Sequence, residues 1–253
     1  MAYKNPRMVI MCIAPWGVTT ISTSAVNLKL PNILLNPVCH ISAKGKYNMK
    51  PEQIENLSFQ IIDQEAGEHK YTPDQWTIVR RMIHTTADFE YKEMIRFHPD
   101  AIQAGISAIR AGKSIITDTN MARVGIRKAE LECFGATVKC YMTDPEIGER
   151  ARNNGTTRAR AAVEAAVADM QDGIYVIGNA PTALMRLCEL MQAGEASPAL
   201  VVGLPVGFVN AAESKATLIQ MDHPYISNVG RKGGSNVAAS VVNALAILAN
   251  VDY

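Results

Sequence analysis

From residue 113 onward the chain alternates short apolar runs with helical stretches, and this alternation leaves few folds open. "SIITD" (114–118) is an apolar strand, followed by a helical stretch from Ala122 to Phe134 that Gly135 stops. "TVKCYM" (137–142) is a second strand; after a polar, glycine-containing connection, "TRARAAVEAAVADM" (157–170) is a helix. "IYVIG" (174–178) is a third strand, and the "PTALMRLCELMQAG" after it begins on proline and ends on glycine, as helices tend to. "ALVVGLPVG" (199–207), a helix around 209–219, "YISNVG" (225–230) and "SNVAASVVNALAILAN" complete the series. Apolar strands between helices of this length predict right-handed βαβ units and a parallel sheet covered on both faces. The expected fold is therefore α/β, three-layer αβα, with a mainly parallel, roughly five-stranded Rossmann-like sheet. The apolar closing helix, Val237 to Leu248, is expected in the core before any interface.

In such sheets a ligand lies beyond the carboxyl ends of the strands. Those ends carry Thr117-Asp118-Thr119-Asn120-Met121, Gly178-Asn179-Ala180-Pro181-Thr182, Gly203-Leu204-Pro205-Val206-Gly207 and Gly230-Arg231-Lys232-Gly233-Gly234-Ser235-Asn236. Each leads into a helix whose first N–H groups can face an anion. Taken singly each is ordinary turn chemistry; four on one rim predict a broad site. Thr119, Asn120, Asn179, Thr182, Arg231, Lys232 and Ser235 are its candidate binding residues. None of the loops is a GxGxxG fingerprint or a Walker A loop, and no acidic ribose ligand stands out. A nucleotide-dependent oxidoreductase is thus the weaker reading of the same fold pattern.

Upstream, "VRRMIHTTADFEY" (79–91) sets one histidine between an arginine pair and a polar run. Thr72 can cap a helix here, Pro73 suits its first position, and Gln75 can reach back as in a capping box. Trp76, Val79, Ile83 and Ala87 then recur at helical spacing as a core face. Arg81, His84 and Asp88 are three and four residues apart, which predicts a guanidinium, an imidazole and a carboxylate side by side. Alone, such a trio is more often a solvated polar face than a site.

A chain of 253 residues is long enough for one large α/β domain or two small ones. The net charge of +1 sets up no field that would recruit nucleic acid or an acidic membrane. Any anionic ligand must be held by locally placed arginines and helix N-termini. Cys12, Cys39, Cys133, Cys140 and Cys188 show no CxxC and no paired spacing. Neither a metal site nor a disulfide framework is expected, and a reducing cytoplasm is the natural compartment. No apolar run reaches the about 20 residues of a membrane-spanning helix. Lys4 and Arg7 ahead of "MVIMCIAPWG" give a faint signal-peptide look, which Pro15 breaks. Residues 1–48 are expected to be an N-terminal extension, either a poorly ordered tail or the product of an over-called start. Met49 opens "MKPEQIENLSFQIIDQEAG", like a natural start followed by an amphipathic helix, and 49–253 is expected to be a single domain.

Together "RRMIHTTADFEY", "ITDTNMARVGI", "VIGNAPTAL", "LVVGLPVGFVNAAESK" and "GRKGGSNVAAS" resemble the precorrin-8X methylmutases, including the cobalt-precorrin-8 methylmutases. The similarity runs from about residue 50 to the C-terminus. It implies a cofactor-independent isomerase of corrinoid biosynthesis, working as a homodimer, that moves a methyl group from C11 to C12 of precorrin-8X. The resemblance places the proton donor or acceptor at His84 and substrate contacts at Arg81 and Ser58, the latter in "NLSFQII". Thr85 and Thr86, beside the histidine, join the candidate binding residues. The residue types suit the chemistry: histidine gives or takes a proton near neutrality, and arginine forks bind the carboxylates of a corrinoid. Asp88 stands as either the orienter of the imidazole or a plain exposed acid. A corrinoid-binding carrier that hands its cargo to neighbouring pathway enzymes is the non-enzymatic alternative.

Overall fold

The computed structural model describes residues 49–251, and in it Thr72, Thr119 and Thr157 each cap a helix start by accepting from one of its first N–H groups. Thr72 accepts from the Gln75 N–H at 3.3 Å while the Gln75 side chain accepts from the Thr72 N–H at 3.1 Å, so the expected capping box forms. In chain order the first elements are α1 (Pro51–Ala66), α2 (Pro73–Thr86), α3 (Tyr91–Met94), β1 (Ile95–Phe97) and α4 (Ala101–Arg110). Next come β2 (Ile115–Thr117), α5 (Asn120–Gly125), α6 (Ala129–Glu132), β3 (Val138–Lys139), α7 (Pro145–Asn153) and α8 (Arg158–Ala165). The last are β4 (Ile174–Ile177), α9 (Pro181–Gln192), β5 (Leu200–Gly203), α10 (Ala211–Ile219), β6 (Tyr225–Asn228) and α11 (Ser235–Asn250). The expectations for residues 1–48 lie outside the described residues.

The strands form one sheet in the order β1-β6-β5-β4-β2-β3. All pairings are parallel except β1 with β6, where Arg96 lies opposite Ser227. Successive strand residues enter opposite layers, as the pleat requires. Ile115, Ile174, Val176, Val202 and Ile226 pack in one core cluster with α2, α4 and α11. Ile116, Tyr175, Ile177 and Val201 pack in a second with α8 and α9. The fold is the expected α/β sandwich. α11 belongs to its core: eleven of its sixteen residues are buried. With side chains such as Val237, Val241 and Leu245 each worth about 1.5–3 kcal/mol on burial, this helix is a main source of stability. Gly105 lets α4 approach it, since a Cβ there would lie 3.0 Å from Leu245.

Several local expectations need correction. The sheet has six strands, not about five, because three-residue β1 pairs antiparallel at the edge and is too short to show a period. The helix expected from Ala122 to Phe134 breaks into α5 and α6, with Ile126 extended at φ −78°, ψ 124° between them. The polar connection before residue 157 contains α7, which has proline at its start and Arg150 and Arg152 in its last turn. Ala87 is not on the core face. It is exposed and left-handed at φ 52°, closing α2 through its N–H to the Ile83 carbonyl at 2.7 Å. A non-glycine residue there costs about 1 kcal/mol and turns the chain off the helix axis.

Candidate active site

α1 and α2 pack side by side, and the site residues of the helical region lie along their contact. Phe59 is the common surface. The guanidinium of Arg80 lies 4.5 Å from its ring centroid and that of Arg81 5.1 Å, and the His84 ring sits 5.2 Å away. Asp63 ties the other end, accepting from Trp76 Nε1 at 2.8 Å and Arg80 Nη1 at 2.9 Å. Yet α1 sinks only one residue, Ile62, fully into the core, while Ile54, Leu57 and Ile61 are exposed. Ser58 and His84 face a shared cleft of about 360 Å³, bounded by Ile61, Ile83, Ala87 and Phe89. Its walls are largely apolar, with an exposed imidazole at the edge. The Ser58 hydroxyl donates to the Ile54 carbonyl at 2.9 Å.

Arg81 is buried, and its Nη1 donates to Glu55 on α1 at 2.8 Å. Asp88 does not share a face with it. α2 ends at Thr86, the left-handed Ala87 redirects the chain, and Asp88 accepts from the Glu90 N–H at 3.0 Å and from Lys232. The Lys232 hydrogen bond holds the Asp88 carboxyl below the usual range. Asp88 is therefore neither the expected neighbour of His84 on a helix face nor a free acid; it is a tether. Lys232 also pairs with Glu90 at 2.9 Å, so the loop after β6 is pinned to the end of the histidine helix. Thr85 is exposed beside His84, and the Thr86 hydroxyl donates to the Met82 carbonyl at 2.8 Å.

The rim loops are held by buried polar groups that sequence inspection did not single out. Asp118, 2% exposed at the end of β2, accepts from the N–H groups of Gly178 at 3.0 Å and of Asn179 and Ala180 at 2.8 Å each. Burial raises its carboxyl pKa, and the three N–H bonds offset only part of that shift. Thr119 caps α5 through the Ala122 N–H at 3.1 Å and shares a hydrogen bond with Ser235, at the start of α11, at 2.8 Å. A Cβ on Gly178 would lie 2.5 Å from the Ser235 Cα, and one on Gly233 2.2 Å from the Leu204 carbonyl oxygen. Only glycine permits these crossings. The signal that could have found Asp118 was its placement, an acidic residue ending an apolar strand.

Lys215 of α10 is fully buried, with Nζ donating to Asn228 Oδ1 at 3.2 Å and to the Lys232 carbonyl at 2.6 Å. Asn228 Nδ2 donates to the same carbonyl at 2.9 Å, so the loop backbone is gripped from beneath. Burial lowers the Lys215 pKa from 10.5 to about 8. The folded state therefore holds this proton less tightly than the unfolded chain does. The cost of the buried ammonium is present in full below pH 8 and is relieved as pH rises from about 8 to 10.5. Over that window the stability of the protein relative to Lys215→Met is expected to rise by on the order of 3 kcal/mol. Denaturant midpoints of the two proteins that keep a constant difference with pH would show that this lysine is not so placed.

The remaining candidates are spread along the rim. Asn120 donates to Thr143 at 3.2 Å and accepts from Arg123 at 2.8 Å. Arg231 lies over the exposed Phe208 ring, 5.5 Å from its centroid. Thr182 accepts from Thr157 at 3.2 Å, in an open cavity of about 520 Å³ also lined by Arg160 and Met185. That cavity belongs to the α8–α9 layer, whereas the His84 cleft belongs to the α1–α2 layer. The structure thus sets Ser58 and His84 on one cleft, places Arg81 against the same Phe59 ring as His84 but outside the cleft lining, groups Thr119 with Ser235, and sets Thr182 apart from both.

The doubly covered α/β sheet of this chain is similar to that of known proteins. The Precorrin-8X methylmutase family model matches residues 53–248. A cobalt-precorrin-8 methylmutase of Priestia megaterium is 49% identical over 202 residues, 80% of this chain and 90% of that protein. A precorrin-8X methylmutase of Pseudomonas aeruginosa is 37% identical over 197 residues, 77% of this chain and 94% of that one. The solved structure of the precorrin-8X methyl mutase from Thermus thermophilus aligns with a TM-score of 0.73 at 46% identity, covering 78% of this chain and 96% of that chain. The family match and the likeness define a methylmutase, an isomerase that moves a methyl group within one molecule. More narrowly, the chain belongs to the precorrin-8X methylmutase family of cobalamin biosynthesis.

Proposed function

We propose that this protein moves a methyl group from C11 to C12 of a precorrin-8 macrocycle, metal-free or carrying cobalt, giving hydrogenobyrinate or cobyrinate. The observation that carries the reading is the His84 imidazole, exposed at the edge of an apolar cleft and backed by Phe59. The migration is formally a 1,5-sigmatropic shift: the C11–methyl bond breaks and a C12–methyl bond forms as the double bonds of the conjugated ring relocate. No electrons enter or leave, so no oxidant is required; what helps is a proton placed on or taken from the π-system as bonding reorganises. His84 supplies or accepts that proton. The apolar walls receive the ring and exclude water from it. Arg81 binds one acidic side chain of the macrocycle, and Ser58 adds a hydroxyl that a single rotation about its Cα–Cβ bond turns into the cleft.

We further infer a homodimer, supported by the breadth of a corrinoid and by the exposed apolar side chains Met121, Val124, Phe208 and Val209 near the rim. No described helix is long and apolar enough to cross a membrane. We place the enzyme in the cytoplasm, on the cysteine spacing, with its product passing to neighbouring enzymes of the route. The functional domain is taken to begin at Met49. Incubation with precorrin-8X and with its cobalt analogue is expected to shift the visible spectrum to that of the product with at least one of them. The chain begun at Met49 should do so at the same rate. Binding without any spectral change would make the protein a corrinoid carrier, and turnover lost on truncation would give residues 1–48 a part in the site.

A further inference from the structure

The guanidinium assigned to a substrate carboxylate already holds one. Arg81 Nη1 donates to Glu55 Oε1 at 2.8 Å, and the arginine side chain is only 10% exposed. Glu55 lies one helical turn before Ser58 and Phe59, on the α1 face turned to α2. Burial pushes its carboxyl pKa up. The Arg81 hydrogen bond and the charges of Arg81, Arg127 and His84 outweigh that and hold it below the usual range, so Glu55 is anionic beside the catalytic edge. A second cation is already at hand: Arg127 Nη2 is 3.5 Å from the same oxygen, on a side chain 47% exposed whose Nη1 donates to Glu130 at 3.2 Å. The two partners of the pair differ in freedom. Arg81 is locked in the core-facing side of α2, whereas Glu55 rides on a helix with one fully buried residue.

We propose that Glu55 stands in for the substrate: it occupies Arg81 in the free protein, and a carboxylate of the macrocycle displaces it, Glu55 then passing to Arg127. The inference rests on the proposed function for taking Arg81 as a substrate contact. Two carboxylates sharing one buried guanidinium would repel at short range, which favours exchange over sharing. Glu55 is in this sense a positioning residue. It keeps the arginine aligned and its charge compensated while the cleft is empty. It also selects for ligands that bring an anion, because a neutral ring cannot release the pair.

The test is a visible-absorbance titration of hydrogenobyrinate into the parent protein, Glu55→Gln, Arg81→Ala and the double variant. Glu55→Gln keeps the packing and removes the competing charge, so affinity is expected to rise about five- to tenfold. The gain should vanish when Arg81 is already alanine, and should vanish for a corrinoid whose acids have been converted to amides. Glu55→Ala serves if the glutamine variant is poorly folded, with the same expected direction. Unchanged or weaker binding by a folded Glu55 variant overturns the exchange and leaves Glu55 as a brace for Arg81. No binding by the parent protein would instead fell the proposed function, and this inference with it.

Discussion

His84→Ala is expected to slow methyl migration by ~10²–10⁴-fold while leaving the fold and corrinoid affinity nearly intact. The size follows from the chemistry: a proton positioned at a reacting π-system is worth several kcal/mol of barrier, and no other imidazole lies in the cleft among the described residues. The specificity follows from the structure. His84 is exposed, and its contact with Phe59 is one that Arg80 and Arg81 also make, so little packing is lost. Single-turnover absorbance kinetics would give the rate, and a thermal melt would check the fold. Near-normal turnover by the variant would mean the helix face is merely solvated. Arg81→Ala should behave differently, raising KM and loosening α1 together, because the side chain that holds Glu55 is also the one proposed to bind a substrate acid.

Asp118→Ala is expected to destabilise the protein by about 3 kcal/mol or more, far beyond the effect of any exposed rim residue. The substitution leaves the N–H groups of Gly178 and Ala180 buried without an acceptor, and each such loss costs about 1–3 kcal/mol. Asp118→Asn should recover only part, since an amide offers one acceptor oxygen where the carboxylate uses two. Equilibrium urea unfolding would measure both. A midpoint close to that of the parent protein for Asp118→Ala would show that water or loop movement satisfies those groups.

Much of the sheet and several helices were legible because strands such as β2, β4 and β5 are apolar runs that stand out between helices, and because residues such as Thr72 and Pro73 announce a start. What failed was in part short or bent, although the regular helices α4 and α7 were not expected either. β1 is three residues closing an antiparallel edge, and the α5–α6 break turns on the backbone of one residue, Ile126, whose side chain looks like any other core isoleucine. At the site, the histidine helix was visible as a motif, but the partners were not. Helical spacing put Asp88 beside His84, and a single left-handed residue, Ala87, moved it to Lys232. Glu55, Asp118 and Lys215 escaped notice for one reason: each owes its role to a partner at least 13 positions away, which no local period encodes.

The grip of Lys215 and Asn228 on the Lys232 carbonyl, and of the Lys232 ammonium on Asp88 and Glu90, has a bearing on how this enzyme could diverge. One residue is held by its backbone from below and by its side chain from the turn after the histidine helix. A lineage drifting toward another macrocycle could not reshape the loop after β6 by single steps, because each step would strand a partner on α10 or beyond α2. Change there should come as compensated sets of substitutions, and libraries built to alter substrate range should vary positions 88, 90, 215, 228 and 232 jointly.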